Sequence, residues 1–295
     1  MRITQGMLSN NMLRNLSKSY ENLGTYMDQL STGKKVNRPS DDPVVAMKGM
    51  NYRSQVTEIE QYQRNTGEVR NWMDNSDAAM DKATQALQRL RELALQASND
   101  SYEEGQRENI AEEVDQLKQH LVNIANTSVN GKFLFNGTDT NNKPVTTDAA
   151  GIVNKVSTND RAVTIQVANG TDLKSNINPS QVFGSNLFAD IEKFSESLRS
   201  GQGNEALQQS IANIDTHINN VVNERADLGA RMNRLDLIEN RLGEQEVIAK
   251  RIMSSNEDAD MEEVIMNLKT QESVQRAALA AGARIIQPTL MDFLR

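Results

Sequence analysis

Cysteine is absent from the 295 residues, which excludes disulfides, thiolate zinc sites and a cysteine nucleophile. Apolar residues are scarce, at 37% hydrophobic and 4% aromatic with a mean hydropathy of -0.61, so thick globular cores are not expected. No stretch approaches the roughly eighteen consecutive apolar residues of a membrane span. The opening Met1-Arg2-Ile3-Thr4-Gln5-Gly6-Met7 lacks the apolar run of a cleavable secretory signal. Acidic residues outnumber basic ones, and the net charge of -8 argues against an extended nucleic-acid surface and against anionic membranes. No membrane insertion is expected, and the chain is either cytoplasmic or exported by a route that leaves no cleavable mark.

What the chain has is heptads, at both ends and not in the middle. Near the start, Leu13, Leu16, Tyr20, Leu23, Met27 and Leu30 alternate spacings of three and four, which makes one narrow apolar seam that needs a partner helix. Near the end, Leu207, Ile211, Ile214, Ile218, Val221, Leu228, Met232, Leu235 and Leu242 keep the same alternation, interrupted by Arg225 and Glu239. Coiled coils suit so polar a composition, because each helix buries only two or three positions in seven.

Turn signals set the boundaries. The first helix stops at Thr32-Gly33, where glycine can take the left-handed conformation that ends a helix. Pro39-Ser40-Asp41-Asp42-Pro43 starts the next, with Asp42 as the cap and Pro43 in the first turn. In that helix Val45, Tyr52, Val56 and Ile59 mark one seam and Met73, Met80, Leu87, Leu90, Ala94 and Ala97 another, with one slip of register expected between them. Asn99-Asp100-Ser101 breaks the pattern, and Ile110, Val114, Leu117, Leu121 and Ile124 restore it. From Phe133-Leu134-Phe135-Asn136-Gly137 onward the texture is β-like, and Val163 to Val167 alternate with period two before Asn169-Gly170. Helical spacing resumes at Leu187, Ile191, Phe194 and Leu198 and passes a Ser200-Gly201-Gln202-Gly203 joint. The last stretch sets Val264, Ile265, Leu268, Leu279, Ile285 and Ile286 among small residues, which suits a close helix pair with the amino-terminal seam, and Leu290 and Phe293 join the expected assembly interface. The expected fold is mainly α: an elongated coiled-coil helical rod built from both chain ends, with a small β-rich domain inserted mid-chain. Its segments are 1–40, 41–132, a β-rich 133–183, 184–255 and 256–295.

Residues that could carry chemistry do not assemble into a pattern that would. His120 and His217 are the only histidines, neither with a partner histidine at helical spacing, so no metal site is expected. Asp41-Asp42 and Asp258/Asp260 sit where helices begin, the place of caps and dipole partners and not of paired catalytic acids. Asp139-Thr140-Asn141-Asn142-Lys143 starts like a calcium loop but has Pro144 where the glycine belongs. Gly201-Gln202-Gly203 lacks the third glycine and preceding strand of a dinucleotide site. No catalytic residue, cofactor or enzyme activity is expected.

The run Leu30-Ser31-Thr32-Gly33-Lys34-Lys35-Val36-Asn37-Arg38-Pro39-Ser40-Asp41-Asp42-Pro43 closely resembles the turn of the bacterial flagellin family. Glu224 to Leu235 is similar to that family's carboxy-proximal helix, and Asn256-Glu257-Asp258-Ala259-Asp260-Met261 to its later Asp-rich turn. The Arg38-Pro39-Ser40-Asp41-Asp42-Pro43 form, the opening Met1-Arg2-Ile3-Thr4 and the passage Ala125 to Gly137 resemble hook-filament junction members more than filament flagellins, while Thr289 to Arg295 suits either. The resemblance implies assembly through an inner layer of both terminal helices. It implies four partners: hook-associated protein 1, flagellin, copies of the chain in a ring, and a cytoplasmic export chaperone. It also implies type III export to the flagellum without a cleavable signal peptide. The alternatives are a minor filament flagellin and, from another class, a cytoplasmic coiled-coil signalling adaptor.

Overall fold

The computed structural model describes residues 5–98, 104–148, 151–200 and 204–286. The Asn99-Asp100-Ser101 break, the Gly201-Gln202-Gly203 joint, Leu290 and Phe293 lie outside them. The helices are α1 (Gln5–Thr32), α2 (Pro43–Ala97), α3 (Glu104–Ala125), α4 (Pro179–Val182), α5 (Ser185–Arg199), α6 (Asn204–Glu257) and α7 (Met261–Ile286). The strands are β1 (Ser128–Val129), β2 (Lys132–Phe133), β3 (Val145–Thr147), β4 (Val153–Val156), β5 (Thr164–Ala168) and β6 (Thr171–Lys174). This is the mainly helical fold with a strand-bearing middle that the sequence predicts. The residues group into two units, one from 1–58 and 245–295, the other from 59–244.

In the unit 59–244, α6 buries Leu207, Ile214, Val221, Leu228 and Leu235, one every seven residues, and keeps Ile211, Ile218 and Met232 half-buried beside them. Arg225 and Glu239 fall in that half-buried row, where they can reach out to α2. Arg225 donates to Asp77 at 3.0 Å and to Asp81 at 2.8 Å, and Arg70 donates to Glu239 at 2.7 Å. Arg91 donates to Asp215 at 2.5 Å, so partners climb α2 as they descend α6 and the two helices run antiparallel. Pairs this exposed contribute about 0–1 kcal/mol each, so their effect is alignment more than stability.

The expected register slip in α2 is absent from its principal row. Met73, Met80, Leu87 and Ala94 continue in sevens from Val45, Tyr52, Ile59 and Thr66. Thr66 is buried, which its hydroxyl tolerates by donating to the Gln63 carbonyl at 2.9 Å. The companion row changes side instead, from Val56 to Val69, Ser76, Ala83, Leu90 and Ala97.

The middle of the chain forms three separate two-stranded antiparallel ribbons, β1-β2, β3-β4 and β5-β6, among the described residues. Asn130-Gly131 turns the first with both residues at positive φ, as a two-residue hairpin requires. The first strand begins at Ser128, and Leu134 and Phe135, which the sequence groups with the strands, are buried core beyond β2. Two-stranded ribbons are marginal alone, and these lean on helices: Asn65 on α2 donates to the Gln166 carbonyl at 2.8 Å, and Arg231 on α6 to the Asn176 carbonyl at 2.8 Å. Phe135 meets Phe183 edge to face at 4.9 Å, in one core shared with α2, α3, α5 and α6.

Candidate assembly interface

The terminal unit pairs α1 with α7. Gln271 donates to the Ser19 hydroxyl at 2.7 Å, and Gly282 lies against the methyl end of Met12, which makes the pair antiparallel. The inward row of α1 includes Met12, Leu16, Ser19, Leu23 and Tyr26; that of α7 includes Val264, Leu268, Gln271, Gln275, Ala278 and Gly282. Both series run in threes and fours, yet the α7 series is largely small or polar. Close approach is gained and apolar burial is slight.

The amino-terminal seam therefore splits. Leu16 and Leu23 face inward, whereas Leu13, Tyr20 and Met27, spaced by seven, stay 55%, 53% and 55% exposed, with Leu30 exposed beyond them. On α7, Val264 and Leu268 are buried and Leu279 is exposed, while Ile285 and Ile286 close the helix. Large apolar side chains left open at heptad spacing are what a further helix would cover.

The turn that follows α1 is built residue by residue. Gly33, at φ 69, ends the helix with its N–H on the Gln29 carbonyl at 2.8 Å. Lys35 N–H donates to the Glu257 carbonyl at 2.7 Å and Ala259 N–H to the Gly33 carbonyl at 2.9 Å, so the α1-α2 turn and the α6-α7 turn are stitched together as a short antiparallel bridge. Arg38 N–H donates to the Asp41 carboxylate at 2.9 Å, closing the tight turn through Pro39 and Ser40. Asp42 accepts from Val44 and Val45 N–H at 2.9 and 3.0 Å and caps α2, with Pro43 at its first position. Asp260 caps α7 in the same way through Glu262 and Glu263. These acids are thus occupied by backbone amides.

Glu257, which the apolar patterning does not single out, is the electrostatic centre of this joint. It is 4% exposed, and one of its oxygens accepts from both Lys34 and Arg53 at 2.7 Å. The other oxygen is buried against Gly49, where any Cβ would collide with it. A glycine in a helix interior costs about 1 kcal/mol relative to alanine, and Gly49 was the one sequence signal of this close approach. Burial pushes the Glu257 carboxyl up, but the hydrogen bonds and charges of Arg53 and Lys34 outweigh it and hold it below the ordinary carboxylate range. Because the folded value is depressed, the clasp stabilises fully above the unfolded value of about 4.3 and is lost as pH falls through the folded one. Glu257→Gln is expected to destabilise the terminal unit by about 1–3 kcal/mol, since Lys34 and Arg53 are exposed enough to rehydrate. Amide exchange along α1 and α7 should rise below about pH 4 in the native chain and be raised at all pH values in the variant. Identical exchange in the two proteins at neutral pH would contradict the clasp.

His217 is paired with Asp190 at 2.9 Å on the core-facing side of α6, and His120 is exposed on α3.

Known proteins resemble this chain over most of its length. Residues 3–140 match the bacterial flagellin N-terminal helical region and residues 211–294 the bacterial flagellin C-terminal helical region. The chain is 24% identical to flagellar hook-associated protein 3 of Escherichia coli K12, over 95% of this chain and 96% of that one. It is 28% identical to a flagellin of Listeria monocytogenes, over 88% of this chain and 87% of that one. Its fold is shared with flagellar hook-associated protein 3 of Legionella pneumophila, with a TM-score of 0.64 at 16% identity across 70% of this chain and 98% of that one. With both terminal regions matched in order over most of its length, the chain belongs to the bacterial flagellin family.

Proposed function

We propose that this chain is a structural adaptor of the bacterial flagellum that joins hook-associated protein 1 at the hook to the flagellin filament. Family membership and the full-length similarity to flagellar hook-associated protein 3 support a flagellar structural role. The observation that carries the assembly reading is the open row Leu13, Tyr20 and Met27 on a helix whose other side is already taken by α7. Copies of the chain meet through heterologous contacts around a ring, and each open row is covered by a neighbour. The residues assigned to this surface are the α1 seam with Val264, Leu268, Leu279, Ile285, Ile286, Leu290 and Phe293 near the carboxy terminus, oriented by the turn Arg38 to Pro43. A cytoplasmic export chaperone covers the apolar ends before type III export, which needs no cleavable signal. The α1-α7 pair buries little on its own, so its ordering is completed by neighbours.

Leu16→Asp with Leu23→Asp tests this reading. Two charges placed on the inward side of α1 open the helix pair, and incorporation into flagella of a strain lacking the native gene should be abolished while residues 59–244 remain protease-resistant. Normal incorporation would sink the role given to the terminal pair. A second reading, a minor filament flagellin, is favoured by the similarity to Listeria flagellin and differs in placing the chain along the whole filament.

A further inference from the structure

Methionine is unevenly placed. Of the 13 methionines only Met73, Met80 and Met232 fall in residues 59–244, and the other ten fall in residues 1–58 and 245–295. Met73 and Met80 are fully buried and Met232 is packed against the core. In the terminal unit, by contrast, Met7, Met27, Met47, Met50, Met261 and Met266 are between 38% and 63% exposed. Met27 belongs to the open α1 row, and Met47 and Met50 follow Val44 at three-residue spacing on one exposed side of α2. The chain has no cysteine, so these thioethers are the most exposed sulfur among the described residues.

A thioether is apolar, polarisable and adaptable in packing. Its two-electron oxidation product is a polar, chiral sulfoxide whose oxygen must be hydrogen-bonded or hydrated. The two states of one side chain therefore favour opposite fates for an apolar surface awaiting a neighbour. We propose that the exposed methionines of the terminal unit are a reversible oxidation site that gates incorporation: reduced, they pack into the assembly; as sulfoxides, they keep the chain out. The inference rests on the reading of the terminal unit as the assembly surface. The oxidant is a peroxide. The sulfur lone pair forms an S–O bond to one peroxide oxygen as the O–O bond breaks, sulfur loses two electrons, the transferred oxygen sheds its proton to solvent, and the other oxygen takes one up and leaves as water. Reversal needs an external reductase whose two thiols become a disulfide as the sulfoxide oxygen leaves as water.

The test treats the purified full chain with graded hydrogen peroxide, quantifies each methionine by peptide mass spectrometry, and measures co-sedimentation with isolated hooks carrying hook-associated protein 1. Oxidation at the six exposed positions should run at least about tenfold faster than at Met73 and Met80, with helix content unchanged. Binding to hooks should fall at least about tenfold, recover after treatment with methionine sulfoxide reductases A and B, and resist peroxide in a variant carrying Met→Leu at all six positions. Equal oxidation of buried and exposed positions, unchanged binding of the oxidised chain, or loss of binding by the peroxide-treated leucine variant would each overturn the gate while leaving the assembly reading intact. Failure of the untreated chain to bind hooks would overturn the assembly reading and this inference with it.

Discussion

Replacing Leu13, Tyr20 and Met27 together by Asp is expected to abolish incorporation while leaving the isolated chain folded. The three side chains lie seven residues apart on α1 and are more than half exposed, so little packing among the described residues depends on them. Exposed substitutions change stability by only about 0.5 kcal/mol. In the proposed assembly the same positions are covered, and each uncompensated carboxylate would then cost several kcal/mol. Together they should weaken incorporation at least about a thousandfold, the equivalent of some 4 kcal/mol. Counting filament-bearing cells in a strain lacking the native gene reads the first effect, and thermal unfolding of the purified variant reads the second. Filaments at native frequency would show that the open row meets nothing in the assembly. A collapsed melting transition would show that it already meets something in the monomer.

The second large effect is expected at Phe135. Its ring is fully buried and packs edge to face on Phe183, linking the chain after β2 to the end of α4. The ribbons have no shared sheet to hold them, so their stability comes from this core. Phe135→Ala should cost about 3–5 kcal/mol through lost burial and the cavity left behind. Amide protection should fall through residues 128–174 before it falls in α6. A loss spread evenly over the chain, or one below about 1 kcal/mol, would mean that the ribbons are held elsewhere.

These two sites also mark where the sequence was readable. The α6 seam was legible because its inward row is apolar at every seventh position, and its two charged interruptions sit in the outer row, where they reach α2 without being buried. The α2 row does not read through Thr66 because this inward residue is polar and is satisfied by a carbonyl of its own helix, a contact that hydropathy does not register. On α1 the heptad was visible but not its division into an inner and an outer side. That division depends on α7, which contributes Ala278, Gly282 and glutamines in place of a matching apolar row. Helix caps at Asp42 and Asp260 were legible because capping is local. Glu257 was not, because its partners Lys34 and Arg53 stand 223 and 204 residues away and no local pattern joins them.

The central claim is positional, and labelling isolated flagella with an antibody against the ribbon region, viewed by electron microscopy, tests it most directly. A single band at the hook-filament boundary is the expected result for a junction adaptor. Label along the whole filament would make the chain a filament flagellin, and absence of label from flagella altogether would contradict its assignment to that structure.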